Sequence, residues 1–410
     1  MNYETQRWLA LVSSIIASLC AGFCYAWSVF QKPLISIFNW APADVALSFS
    51  LLMSVAATMA IMAGKALDYM QPRQVTLIGG ALLGLGIAGI GFVQTLYQMY
   101  ISIVIAGIGI GFVYPGGTIS NVLRFFPDKQ GLASGLLAGG FGLGALVWAP
   151  ISVMLISHYG VFSALKMLGA FFFCLIALVS RIMTTAPNGY LPSGWTPPKQ
   201  SEGTTGTDKK WKQMLKDPVF YFIGSVFTLG CITGMMVVGQ ASPIAQDLLK
   251  ITPQAAAGIV GLMSIGMCGG KVFWGAVSDK IGRNLVIVLM FVLGGTAVAV
   301  LPMALSYYSF AGAIMLIASC YGGILAVMAP ITAELFGTKN LGLNFGIMFL
   351  TVALAAAIGP RLVAVIKQTT GEYTLAFHIA VVINLVGLIV FSAFVFYRKR
   401  KKASCKNVAS

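Results

Sequence analysis

A single cation deep in an apolar, glycine-rich stretch is the first chemistry this sequence offers. Residues 258–283 run from Gly258 through Lys271 and Gly275 to Asp279, Lys280 and Arg283. Hydrocarbon excludes charge, so the last three mark a membrane surface. Lys271 stands eight residues from Asp279, about 12 Å into a core roughly 30 Å thick. An ammonium near the midplane costs about 2.5–3.5 kcal/mol on insertion scales, which makes it a candidate functional group. The chemistry it suits is anion binding, because an anion leaving water needs a fixed charge and hydrogen-bond donors in exchange. Lysine supplies a point charge, less geometrically selective than the forked guanidinium of arginine. The competing reading is a lysine snorkelling to the interface, and about 12 Å is far for its stem.

The rest of the chain must provide a membrane scaffold for that cation. Charged residues make up 9% and apolar residues 58%, far from soluble averages. Apolar runs of about 20 residues recur along the whole length and indicate a polytopic helical membrane protein. Twelve spans are predicted at 9–30, 43–63, 75–95, 99–122, 131–156, 161–183, 218–239, 254–274, 285–304, 309–333, 343–365 and 375–396. Arg7 precedes a full-length span rather than the short apolar core of a cleavable signal. Six of the seven cysteines lie in these spans, where they read as small packing residues rather than a disulfide framework.

Residues 184–217 are rich in Pro, Gly, Ser, Thr and Lys, which predicts a flexible cytoplasmic linker between two six-helix halves. The expected organisation is therefore 1–183, linker 184–217, 218–397 and a basic tail 398–410. With the N-terminus inside, cytoplasmic segments carry 20 of the 26 Lys and Arg residues. The positive-inside rule then places both termini in the cytoplasm. This bias accounts for the net charge of +15, and the tail suits anionic lipid rather than nucleic acid.

The halves repeat. Gly64, Asp68, Gly131 and Gly135 correspond to Gly275, Asp279, Gly342 and Gly346, each pair 211 residues apart. A constant offset at separated sites predicts a duplicated unit with parallel repeats.

The motif Gly275-Ala-Val-Ser-Asp279-Lys-Ile-Gly-Arg283 resembles the signature loop of the major facilitator superfamily. Its first-half copy, Gly64 to Arg73, is degenerate, with Tyr69 and Gln71 at the usual Lys/Arg and Gly positions. Within that superfamily the chain is similar to the oxalate:formate antiporter and bacterial monocarboxylate transporter group. The similarity rests on Tyr25-Ala-Trp27, Tyr114, Arg124 to Gly135, Phe141 to Gly144, Tyr321-Gly-Gly323, Leu335-Phe-Gly337 and Asn344-Phe-Gly346.

This resemblance implies an all-α fold of twelve transmembrane helices in two six-helix halves, in the plasma (inner) membrane. It places Lys271 at the substrate-binding cation, and Tyr25, Tyr114, Tyr321 and Trp27 along the central cavity. Taken without it, the aromatics are equally packing or interfacial residues. Oxalate carriers hold a second cation where this chain has Val352, and Phe141 and Leu325 replace tyrosines. One cation suits one carboxylate, so a monocarboxylate such as pyruvate, lactate or formate is expected. The alternatives are an oxalate:formate-type antiporter and a transporter-like sensor without flux.

The remaining charges are assigned to structure or gating. Asp68 and Asp279 are expected to cap following helices and tie loops to basic side chains such as Arg73 and Arg283. Arg361 lies near the outer surface as a snorkelling or gating group, and His378 is interfacial. No nucleophile–base pair, metal cluster or phosphate loop is present in the sequence, so no enzyme, cofactor or metal is expected. The expected partners are the bilayer, a small organic anion and either a proton or a counter-anion, with the protein a monomer. No Asp or Glu lies in the core of a predicted span, which favours exchange or uniport over proton symport.

Overall fold

The computed structural model describes residues 3–67, 69–184, 192, 208–304, 306–337 and 340–407. Sixteen helices run α1 Tyr3–Ala21, α2 Ser28–Phe38, α3 Pro42–Ala66, α4 Pro72–Ile90, α5 Leu96–Gly111, α6 Thr118–Phe125, α7 Gln130–Gly142 and α8 Gly144–Ile182. They continue as α9 Trp211–Leu215, α10 Pro218–Val238, α11 Ala241–Leu249, α12 Pro253–Ile281, α13 Arg283–Val300, α14 Tyr307–Phe336, α15 Leu341–Thr370 and α16 Thr374–Asn407. Proline opens α3, α4, α10 and α12, where its missing N–H is one of the orphans anyway. Asp217, Thr252 and Ser306 cap helices with side-chain oxygens.

Among the described residues, eleven apolar helical stretches are long enough to cross a bilayer. One, Leu132–Ile182, has 51 residues, about 76 Å of helix and more than twice the hydrocarbon thickness. It reverses at Gly160, whose φ of 77° and ψ of 166° break α8 into two arms. Glycine is needed there, since the left-handed region penalises any Cβ. The chain thus crosses twelve times.

Several helices are interrupted where the sequence reading drew them continuous. The first crossing narrows to a 3-10 segment at Gly22–Ala26 between α1 and α2. The seventh restarts after Gly239 and Gln240. The fourth breaks at Tyr114, where φ −134° and ψ 123° interrupt the stretch Phe112–Gly117. The cause is Pro115, because a residue before proline is driven out of the helical region.

Asp279 is not a cap: it sits in the last turn of α12, and Gly282 (φ 89°, ψ 143°) opens α13. Asp68 lies outside the described residues. Of the linker, residues 185–191 and 193–207 likewise lie outside them. Residues 208–217 include α9 and dock on the second half. Lys209 N–H donates to Phe336 O and Asn344 Nδ2 donates to Lys209 O, both at 2.9 Å.

The Lys/Arg-rich connections share one face, termed the basic face, and the other ends form the distal face. The halves meet through α3 against α15, α8 against α12 and α2 against α11. At the distal face the seam is sealed. Gln31 Nε2 donates to Gly239 O at 2.8 Å, and Ala43, Ala46 and Ala364 form a buried cluster. Lys32 pairs with Asp247 at 2.5 Å. The ion pairs of the basic face stay within a half: Arg7 with Asp128, Lys209 with Asp217, and Arg283 with Glu334 and Asp279.

Candidate functional site

Lys271 projects from the middle of α12, which α14 backs closely. The lysine stem runs past Gly322, where an added Cβ would lie 3.3 Å from Lys271 Cγ. Larger residues at position 322 would displace the stem. Cys268, one turn back on α12, faces the first half: a Cβ added at Gly139 would lie 3.4 Å from its Sγ. Among the described residues Lys271 forms no ion pair. An ammonium so placed within an apolar helix leaves its charge uncompensated there.

Tyr321 on α14 precedes Gly322, and Tyr25 of the first half lies near Tyr321. Tyr25 lies in the 3-10 segment, which approaches the end of α7 so closely that a Cβ on Gly22 would meet Phe141 O at 2.2 Å. Both tyrosines are buried, at 2% and 1% exposure. Their hydroxyls are near enough to interact, yet Tyr321 Oη has no hydrogen bond of good geometry. A buried donor without a partner is costly unless a ligand completes it. Tyr114 joins through Phe141: their rings stack at 4.2 Å, and Phe141 meets Tyr25 edge-on at 5.4 Å.

Trp27 is placed elsewhere. Its indole N–H donates to Ser48 Oγ at 2.8 Å and its ring stacks on Phe30, so it packs the first half. Val352 is buried on α15. Arg73 is exposed, as are His378 at the start of α16 and Arg361, whose charge acts on Tyr100. Arg283 bridges Glu334 and Asp279, the latter at 3.9 Å.

Sequence reading missed two features. The unwound Tyr114-Pro115-Gly116-Gly117 was visible in principle, since the X-Pro pair and two glycines are helix breakers. The second is a distal cluster around Asp247. Its carboxylate accepts from Lys32 at 2.5 Å and from Tyr373 Oη at 3.0 Å, with Lys367 at 3.8 Å. No local pattern links residues 215 positions apart. Burial raises the Tyr373 phenol well above its usual range, and the Asp247 charge adds to the shift.

Comparison with known proteins follows from this geometry. The family model described as Major Facilitator Superfamily matches residues 11–248 and 231–409. An uncharacterized MFS-type transporter, YhjX of Escherichia coli (strain K12), is 31% identical over 85% of each chain. The oxalate:formate antiporter of Oxalobacter formigenes is 28% identical over 93% of this chain and 89% of its own. Among solved structures, a bacterial homologue of the human lysosomal transporter Spinster, inward-facing and unoccupied, superposes with a TM-score of 0.73. It covers 96% of this chain and 97% of its own at 14% identity, a likeness of fold. A twelve-crossing helical bundle, matched by that family model over nearly its whole length, thus belongs to the Major Facilitator Superfamily.

Proposed function

We propose that the protein carries small monocarboxylate anions of the pyruvate, lactate or formate type by alternating access. The observation that carries this reading is the Lys271 ammonium, which stands midway along α12 and has no ion-pair partner among the described residues. A carboxylate entering the site exchanges hydration for that charge, and the hydroxyls of Tyr25 and Tyr321 supply donors. Tyr114 and Phe141 close the apolar wall, which suits a short organic chain.

The reading takes the basic face as cytoplasmic and the distal face as external, with both termini inside an inner membrane. Among the described residues the Lys32–Asp247 pair joins the halves at the distal seam and the ion pairs of the basic face stay within a half, so the reading takes the distal seam as the gate that must part for external substrate. Residues 1–183 and 218–397 act as the two rocking bodies, 184–217 joins them, and 398–410 meets anionic lipid. The monomer suffices, because the site lies within one chain.

Exchange or uniport follows from the local charges. An anion neutralises Lys271 on arrival and restores it on leaving, whereas proton symport would require the lysine itself to titrate. The name of the Oxalobacter relative supports a second reading, oxalate:formate-type exchange. Val352 weighs against it, since a second carboxylate would enter an apolar surface without a compensating cation.

Uptake of labelled pyruvate, lactate, formate and oxalate into proteoliposomes tests the proposal. Monocarboxylate uptake abolished by Lys271→Gln supports it. A parent that prefers oxalate to all three monocarboxylates, or that moves none of the acids, overturns it.

A further inference from the structure

The distal cluster holds a carboxylate between the two halves, and its composition is that of an anion site. Lys32 on α2 comes from the first half. Lys367 at the end of α15 and Tyr373 in the following turn come from the second. Their shared ligand is Asp247 on α11. Two ammonium groups and one phenol converge on a single carboxylate, so the cluster carries an excess positive charge. Tyr373 is 4% exposed and fixed beneath the Lys367 ammonium, which lies 4.7 Å from the ring centroid. Lys367 also donates to Gly371 O at 2.6 Å. The second-half side of the cluster is therefore preorganised, and Lys32 is the part that must leave when the halves separate.

We propose that Lys32, Lys367 and Tyr373 form a carboxylate-binding cradle at the distal seam. Asp247 is its resident ligand in the closed state, and a substrate carboxylate arriving at that face competes with Asp247 for the two lysines. The proposal rests on the monocarboxylate reading above for its ligand class. Its consequence is that substrate is drawn to the entrance and takes the place of Asp247 between the two lysines. Asp247 serves as an internal stand-in that keeps the lysines compensated when no substrate is present. Opening then exchanges one carboxylate for another and leaves no bare ammonium at the seam.

The test uses the full-length protein in proteoliposomes, with native cysteines replaced and a reporter Ala46→Cys. Position 46 is fully buried in the closed seam. An impermeant maleimide added on the distal side reports how often the seam opens. Asp247→Asn and, independently, Lys32→Gln are expected to raise the labelling rate about two- to five-fold, the population shift that loss of a partly exposed ion pair allows. The swap Lys32→Asp with Asp247→Lys is expected to slow it again. In the Asp247→Asn protein, distal pyruvate is expected to protect position 46, and added Lys32→Gln and Lys367→Gln to remove that protection. Unchanged labelling in both single variants overturns the latch. Protection indifferent to the two lysines overturns the cradle. A parent that takes up no monocarboxylate defeats the carrier reading instead, and labelling of the single variants still decides the latch.

Discussion

Asn39 and Lys250 adopt the same left-handed backbone conformation, with φ of 53° and 54°, at the ends of α2 and α11. They stand 211 residues apart. Gly160 and Gly371, both with φ of 77°, keep the same offset. Equivalent chain reversals at the interval read from the loop motifs are what a duplicated six-helix unit requires. The copies differ in how well each residue suits the turn. Asparagine tolerates this conformation and lysine does not, at a cost of about 1–2 kcal/mol for an ordinary side chain. Lys250→Gly should therefore stabilise the protein by about 0.5–1 kcal/mol once the added chain entropy is subtracted. A rise in the thermal unfolding midpoint in detergent checks this.

Removal of the Lys271 charge is expected to eliminate binding while leaving the fold intact. Lys271→Gln should lose uptake by more than about 100-fold, since a desolvated charge partner is worth at least 2–3 kcal/mol. Lys271→Arg keeps the charge and should retain part of the activity with altered selectivity. Size-exclusion behaviour and uptake measured together separate a binding loss from misfolding.

Tyr321→Phe gives the reverse pattern of a packing mutation. The hydroxyl is buried without a hydrogen bond of good geometry, so its removal should leave stability unchanged or slightly improved. Binding should weaken by about 0.5–1.5 kcal/mol, or roughly 2- to 12-fold in half-saturating pyruvate, as one donor is lost. A lowered unfolding midpoint with unchanged half-saturation would contradict the assigned role.

Val352→Lys should improve oxalate recognition relative to pyruvate. The substitution adds a second cation on α15, matching the second carboxylate that the parent leaves uncompensated. Competition of unlabelled oxalate against labelled pyruvate, in parent and variant, measures the change.

Acid should unfasten the N-terminus. Arg7 donates to both carboxylate oxygens of Asp128 at 2.7 Å and lies 4.1 Å above the Phe126 ring. Burial is the largest single influence and would raise the Asp128 pKa, but the Arg7 bond, a backbone bond and the Arg7 and Lys129 charges together outweigh it and the net shift is downward. A carboxylate with a depressed folded-state pKa contributes stability that is complete above its unfolded value of about 3.9 and lost as pH falls through the folded value. Asp128→Asn should remove this acid dependence, at a cost of about 1–3 kcal/mol near neutral pH. Unfolding midpoints across a pH series test both the sign and the size.

Much of the fold was legible because a bilayer constrains sequence severely. Each crossing needs a long apolar run, and charges mark its ends, so Asp279 and Arg283 located α12 and Lys271 within it. The approach of Tyr25 to Tyr321 across the halves was not legible in local pattern, since no periodicity tells a cavity-facing tyrosine from a packed one. Trp27 shows the difference: the same short motif that holds Tyr25 turns its indole to Ser48. The Asp247 cluster was illegible for another reason. Its members sit at the ends of three helices, and long-range ion pairs leave no trace in local composition.

The Arg7 contact to Asp128 also bears on how the protein should be handled. With Trp8 edge-on to Phe126 at 5.3 Å, it fastens the first turns of α1 to the connection between α6 and α7, so anything fused ahead of α1 pulls on these contacts. The helix α16, by contrast, continues past its apolar portion to Asn407. A reporter or affinity tag belongs at that end, where its drag falls on a projecting helix rather than on the contacts of Arg7 and Trp8.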